Sequence, residues 1–125
     1  MNHAREVLKD AWDRHEGPIV LTTVDENGVP NAIYMTFVKY LDDGRIVLAD
    51  NYFNKTRANI KRGSKGSVLF QTKERKSYQA KGSIEYLTNG PIYDDMRQWV
   101  DQKKPRIAAA VLSVDEFYSG AEKLL

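Results

Sequence analysis

Between Asn51 and Lys73 the chain carries Lys55, Arg57, Lys61, Arg62, Lys65 and Lys73 and not one aspartate or glutamate. A local field of one sign suits an anion. Asn54 stands where a helix N-cap belongs, ahead of a helical stretch from Lys55 to about Arg62 that Gly63 closes. Lys55 therefore falls in the first helical turn, where the helix dipole disfavours a cation by about 0.3–1 kcal/mol. A bound phosphate would offset that cost, because free backbone N–H groups, the Lys55 ammonium, the Thr56 hydroxyl and the Asn54 amide converge on one point. A solvated basic helix start is the other reading these residues leave open.

Other chemistry is thinly represented. His3 and His15, the two histidines, fall in or beside the first helix on its polar side, where a solvated role is expected, and no carboxylate sits at ligand spacing from them. No metal site follows. The chain has no cysteine, which removes thiol catalysis, disulfides and Cys-ligated metals together. Neither phosphate-binding glycine motif is present, and no serine forms a nucleophile elbow. No catalytic side chain is identifiable. Tyr34, Tyr40, Tyr78, Tyr86 and Tyr93, with Trp12 and Trp99, supply flat apolar area, most of it expected in the core and sheet wall. A planar heteroaromatic ligand with a phosphate tail would use such a wall beside an anion clasp. Tyr52 and Phe53 among the basic residues also suit single-stranded nucleic acid. A net charge of +2, with Asp50 and Glu74 just outside the basic segment, favours a pocket for one phosphate over a groove tracking many.

The elements that must position these residues read as mostly strand. Residues 3–15 form an amphipathic helix with Ala4, Val7, Leu8, Ala11 and Trp12 on one stripe, stopped by Gly17-Pro18. Strands are expected at 19–24, 31–41, 45–50, 67–72, 77–87 and 107–114, separated by turn residues such as Asn27-Gly28 and Asp43-Gly44. Gly82 inside the fifth strand suggests a bulge. Pro91 opens a helix expected to run to Lys104, with Ile92, Met96, Trp99 and Val100 inward and Pro105 as its stop. Six short strands without βαβ alternation, in 125 residues, predict one mainly β domain over 1–125, a six-stranded antiparallel barrel with flanking helices. No apolar run reaches the roughly 18 residues of a membrane span, and no secretory signal is visible. A cytoplasmic location is expected.

The stretch from Gly28 to Val38, then Ile46 to Asn51 and Asn54-Lys55-Thr56-Arg57-Ala58-Asn59-Ile60, resembles the pyridoxamine 5′-phosphate oxidase-like family, most closely its small single-domain FMN-binding proteins. The later strands and the Gly90-Pro91 helix follow in the same order. This resemblance implies a split β-barrel homodimer with an FMN at each of two sites in the subunit interface. It places Lys55 and Thr56 on the phosphate with Asn54 alongside, and Tyr34, Met35 and Thr36 beside the flavin ring. Ala49, Asp50 and Asn51 would border the ring and ribityl chain, and Tyr78 and Gln79 match a cofactor-side position on the fifth strand. The oxidase itself clasps phosphate with an Arg-Lys pair and carries substrate-binding Arg and His residues in a C-terminal segment. Here the pair is Lys55-Thr56, and the last residues are Gly120-Ala121-Glu122-Lys123-Leu124-Leu125. The resemblance therefore implies FMN binding, with hydride or electron transfer between a nicotinamide donor and a small molecule, rather than pyridoxamine phosphate oxidation. A non-catalytic FMN electron carrier is one alternative, and a nucleic-acid-binding barrel the other.

Overall fold

The structure is a computed structural model that describes residues 3–125. Helix α1 (His3–Asp13) precedes strands β1 (Ile19–Val24), β2 (Pro30–Met35), β3 (Val38–Tyr40) and β4 (Ile46–Asp50). Helix α2 (Lys55–Lys61), β5 (Gly66–Gln71), β6 (Ser77–Leu87), α3 (Pro91–Trp99), β7 (Ala108–Ser119) and β8 (Glu122–Lys123) follow. The strands form one antiparallel sheet in the order β2-β1-β5-β6-β7-β4-β3, with β8 paired to β7. Strands β2 and β3 lie at opposite ends of that order, yet only Thr36 and Phe37 join them. Three Cα–Cα steps span at most about 11 Å, so the two edges must curl round to meet. The sheet is a split barrel.

The six strands expected become eight, for two reasons. At Thr36-Phe37 the chain leaves its partner β1 and crosses to β4, with Ala49 N–H donating to Phe37 O (3.1 Å), so the expected 31–41 strand divides. The last expected strand runs five residues further, to Ser119, because β6 supplies partners as far as Tyr78↔Ser119. Gly120, at φ +57°, then turns the chain back into β8. The pairing of β6 with β7 slips at Lys81/Gly82, as the internal glycine suggested, and a Cβ at Gly82 would stand 1.7 Å from Ser113 O.

Alternating residues of the strands fill the barrel with Ile19, Leu21, Ile46, Leu48, Val68, Phe70, Leu112 and Phe117, and α1 closes it with Leu8, Ala11 and Trp12. A second apolar cluster lies on the outer side of β4 and β7, where Val47, Ala49, Ala109 and Val111 meet Met96 and Val100. Helix α3 ends at Trp99, short of the expected Lys104, because Val100 is extended and Asp101 forms a turn, its carboxylate taking Lys103 N–H and its carbonyl Lys104 N–H. His3 is exposed, whereas His15 is half-buried, its Nδ1 2.6 Å from Trp12 O and its ring 4.6 Å from the indole. Among the described residues no helix is long and apolar enough to cross a membrane.

Candidate functional site

Strand β2 is an edge of the sheet, so alternate backbone N–H and C=O groups along one side of it are not used by β1. Two clefts open along it. At its C-terminal end, a cleft of about 340 Å³ is lined by Ile33, Tyr34, Met35, Thr36 and Phe37 on one side and by Ala49, Asn51, Tyr52 and Phe53 on the other. Lys104 completes it. Met35, Ala49 and Phe53 are buried, while Tyr34 and Tyr52 stand at the rim, 79% and 71% exposed. The lining is flat, apolar and aromatic.

At the N-terminal end of β2, a cleft of about 350 Å³ lies between Asp25, Val29, Pro30 and Asn31 and the flank of α2. From α2 and its two ends come Asn54, Lys55, Ala58, Asn59 and Arg62, which recur at the three-, four- and seven-residue spacing of one helix face. The helix thus offers its side, with two cations, rather than its end alone. Asn31 in one cleft and Met35 in the other are four strand steps, about 13 Å, apart along β2.

Other contacts fix α2 in that attitude. Thr56 is 1% exposed, and its Oγ1 accepts Asn31 Nδ2 at 3.1 Å. Asn59 Nδ2 donates to Thr23 Oγ1 at 3.0 Å. Asn54, at the N-cap position, makes no side-chain capping bond. On the far side of α2, Arg57 forks onto the fully buried Asp50 carboxylate, through Nε at 2.7 Å and Nη2 at 2.9 Å. Asp50 also accepts Phe53 N–H at 3.0 Å and the Tyr86 hydroxyl at 2.5 Å. Burial, and then the adjacent Asp50, push the Tyr86 hydroxyl up to about 12. The bond to Asp50 holds the Arg57 guanidinium above its already high ordinary value.

Of the residues singled out from the sequence, Tyr34, Met35, Thr36, Ala49 and Asn51 come together in the first cleft, and Asn54 and Lys55 in the second. Asp50 faces away into the Arg57–Tyr86 knot, and Thr56 is spent on Asn31. Tyr78 lies inside the barrel, stacked between Phe70 and Phe117 at 5.8 and 5.7 Å. Gln79 is on the outer surface, donating to Ser67 Oγ at 2.7 Å. Sequence reasoning missed Phe37, Tyr52, Phe53 and Lys104 as neighbours of the first cleft and Arg62 as the second cation of the other. The seven-residue spacing of Lys55 and Arg62 could have revealed the last of these.

A curled antiparallel sheet whose edges meet at a two-residue crossing, with clefts on either side of the edge strand, defines the split-barrel class. Within that class the chain belongs to the pyridoxamine 5′-phosphate oxidase family, which it matches over residues 4–118. It is 32% identical over 108 residues to an uncharacterized protein of Methanocaldococcus jannaschii, covering 81% of this chain and 71% of that one. Among solved structures it is similar to HupZ of Group A Streptococcus, with TM-score 0.77 and 21% identity over 98% of this chain and 95% of the other. An FMN-binding protein of Syntrophomonas wolfei subsp. wolfei superposes with TM-score 0.72 and 21% identity, covering 92% of this chain and 82% of that one.

Proposed function

We propose that the protein binds FMN along β2, with the ring in the first cleft and the phosphate in the second, and serves hydride or electron transfer between a nicotinamide donor and a small-molecule acceptor. The observation that carries this reading is the pair of clefts, one aromatic and one bearing Lys55 and Arg62, on a single edge strand. The residues fit such a group: Met35, Ala49 and Phe53 give an apolar floor, the free side of β2 offers backbone donors and acceptors, and Lys55 and Arg62 face an anion. Family membership and the FMN-binding structural relative point the same way. When bound, the flavin supplies the electron chemistry. The chain binds it, orients it and shields one face from water.

A homodimer belongs to the same proposal. Tyr34, Val20 and Leu69 are cross-strand neighbours on the outer face of β2, β1 and β5, with Gln79 next to Leu69 on β6, and Tyr34 and Leu69 are exposed. A second copy covering this face would bury that row beside the ring cleft.

Titration of the purified protein with FMN and FAD, followed by flavin absorbance and fluorescence, tests the cofactor. FMN is expected to bind at micromolar concentration or below, and FAD more weakly because its phosphate is not terminal. No FMN binding at micromolar concentration overturns the reading. Steady-state oxidation of NADH or NADPH by the loaded protein separates an oxidoreductase from a carrier, and light scattering tests the dimer.

A further inference from the structure

Lys104 is the one formally charged residue lining the first cleft. Its ammonium lies 5.7 Å from the Tyr52 ring centroid and 6.0 Å from that of Phe37, and no carboxylate among the described residues comes within 4.0 Å of it. The segment carrying it is pinned. Lys104 N–H donates to Asp101 O at 2.9 Å, Arg106 Nε donates to Lys104 O at 3.3 Å, and Asn51 Oδ1 accepts Arg106 N–H at 3.0 Å. Arg106 sits at φ +50°, a conformation an arginine rarely adopts, and Ile107 N–H donates to Asp50 O at 2.8 Å. A strained backbone and a buried asparagine therefore hold a cation without a counter-ion at an aromatic cleft.

We infer that Lys104 sets the reduction potential of the ring bound there by favouring its reduced form as an anion. This rests on the FMN reading. The nicotinamide donor transfers a hydride, two electrons and one proton, which turns the neutral oxidised ring into a reduced ring with one negative charge. A further proton from water would make it neutral. A cation at the rim of the cleft, beside the ring, favours the form without that proton. The other groups facing Lys104 do not replace it. Tyr34 and Tyr52 bring rings and hydroxyls rather than a cation, and the Asp101 carboxylate takes Lys103 N–H. Arg106 directs its guanidinium to Arg97 O and Lys104 O, Arg97 lies on Tyr93 OH and Arg106 O, and Asp50 is turned away onto Arg57.

The test compares FMN-loaded wild type with Lys104→Gln, Lys104→Arg and the exposed neighbour Lys103→Gln, which changes net charge equally. Midpoint potentials are measured by dithionite titration against reference dyes from pH 6 to 9, with oxidised-FMN dissociation constants alongside. Lys104→Gln is expected to weaken binding of reduced FMN about tenfold more than that of oxidised FMN, lowering the midpoint by about 30 mV for a two-electron couple. Its midpoint should also fall twice as steeply with pH near neutrality, as two protons then accompany two electrons. Lys104→Arg should retain most of the wild-type potential, and Lys103→Gln should match it. Equal potentials in Lys104→Gln and Lys103→Gln overturn the inference alone. Wild type that takes up no FMN overturns the cofactor reading and this inference with it.

Discussion

Replacing Arg57 with methionine keeps an apolar stem of similar length and removes the guanidinium from Asp50. The carboxylate is fully buried and accepts four hydrogen bonds, two from Arg57, one from Tyr86 and one from Phe53 N–H. The variant loses two of the four, together with the one cation paired with Asp50 among the described residues. Leaving a buried charge without its partner costs about 3–5 kcal/mol. Two donors remain, and the Arg57 side chain is 30% exposed, so water can partly fill the gap and the lower end applies. About 3 kcal/mol corresponds to a melting temperature lower by roughly 12 °C, at about 4 °C per kcal/mol for a chain of this size. Urea denaturation at pH 7.5 measures the loss. A deficit below about 1 kcal/mol would mean that water already solvates the pair, and the reasoning from burial would fail. The knot also holds α2, so the variant should bind FMN more weakly in the titration.

Tyr86→Phe should cost about 1.5 kcal/mol at neutral pH by removing one donor to a charged acceptor. With Tyr86 pushed up to about 12 against about 10 when unfolded, its added stability is complete below about pH 10 and is lost as pH rises through about 12. The wild-type advantage over Tyr86→Phe in urea denaturation should therefore fall across that window. Lys55→Ala should weaken FMN binding roughly tenfold or more, by about 1.5–3 kcal/mol, with apoprotein melting unchanged or slightly raised. Arg62→Gln should also weaken binding, and Lys61→Gln and Lys65→Gln should not; equal losses at all four would indicate a diffuse basic surface. Thr56→Val should destabilise the apoprotein by about 0.5–1.5 kcal/mol in the same melts, since it orphans the Asn31 amide. Gly82→Ala should cost about 3 kcal/mol or more, or abolish soluble expression, because its Cβ meets the Ser113 carbonyl rather than a movable side chain.

Much of the fold was legible where local chemistry and tertiary pairing agree. The strands from Ile19 and at Ile46, the turns at Asn27-Gly28 and Asp43-Gly44, Pro91 at a helix start and Gly82 in a bulge all kept their expected places. The break between β2 and β3 was not legible. Thr36-Phe37 carries no glycine or proline, and the chain bends there because its hydrogen-bonding partner changes from β1 to β4. The continuation of β7 through Asp115-Glu116-Phe117-Tyr118 was not legible either, because β6 supplies partners that no local pattern encodes. At the site, the acid-free window exposed the cations of α2 and concealed how Arg57 differs from Lys55. Its carboxylate, Asp50, lies just outside that window, and Tyr86 is 36 residues beyond Asp50, so only the folded sheet assembles the three. Lys104 gave no signal because Pro105 was read as the stop of a helix that in fact ends at Trp99.

The end of β4 ties the two clefts together. Three consecutive residues there point in three directions. Ala49 packs under α3 and borders the first cleft, Asp50 turns inward to grip α2 through Arg57, and Asn51 reaches across to fix Arg106. The α2 grip sets Lys55 and Arg62 at the second cleft, and the Arg106 clasp sets Lys104 at the first. Both cation-bearing segments are irregular or short, with α2 only seven residues long and the 100–107 connection lacking any regular element. Neither would hold a side chain at a fixed distance by itself. Because one strand, β4, paired on both sides and buried along its length, anchors both, the spacing between the two cations is set by the sheet rather than by the segments that carry them.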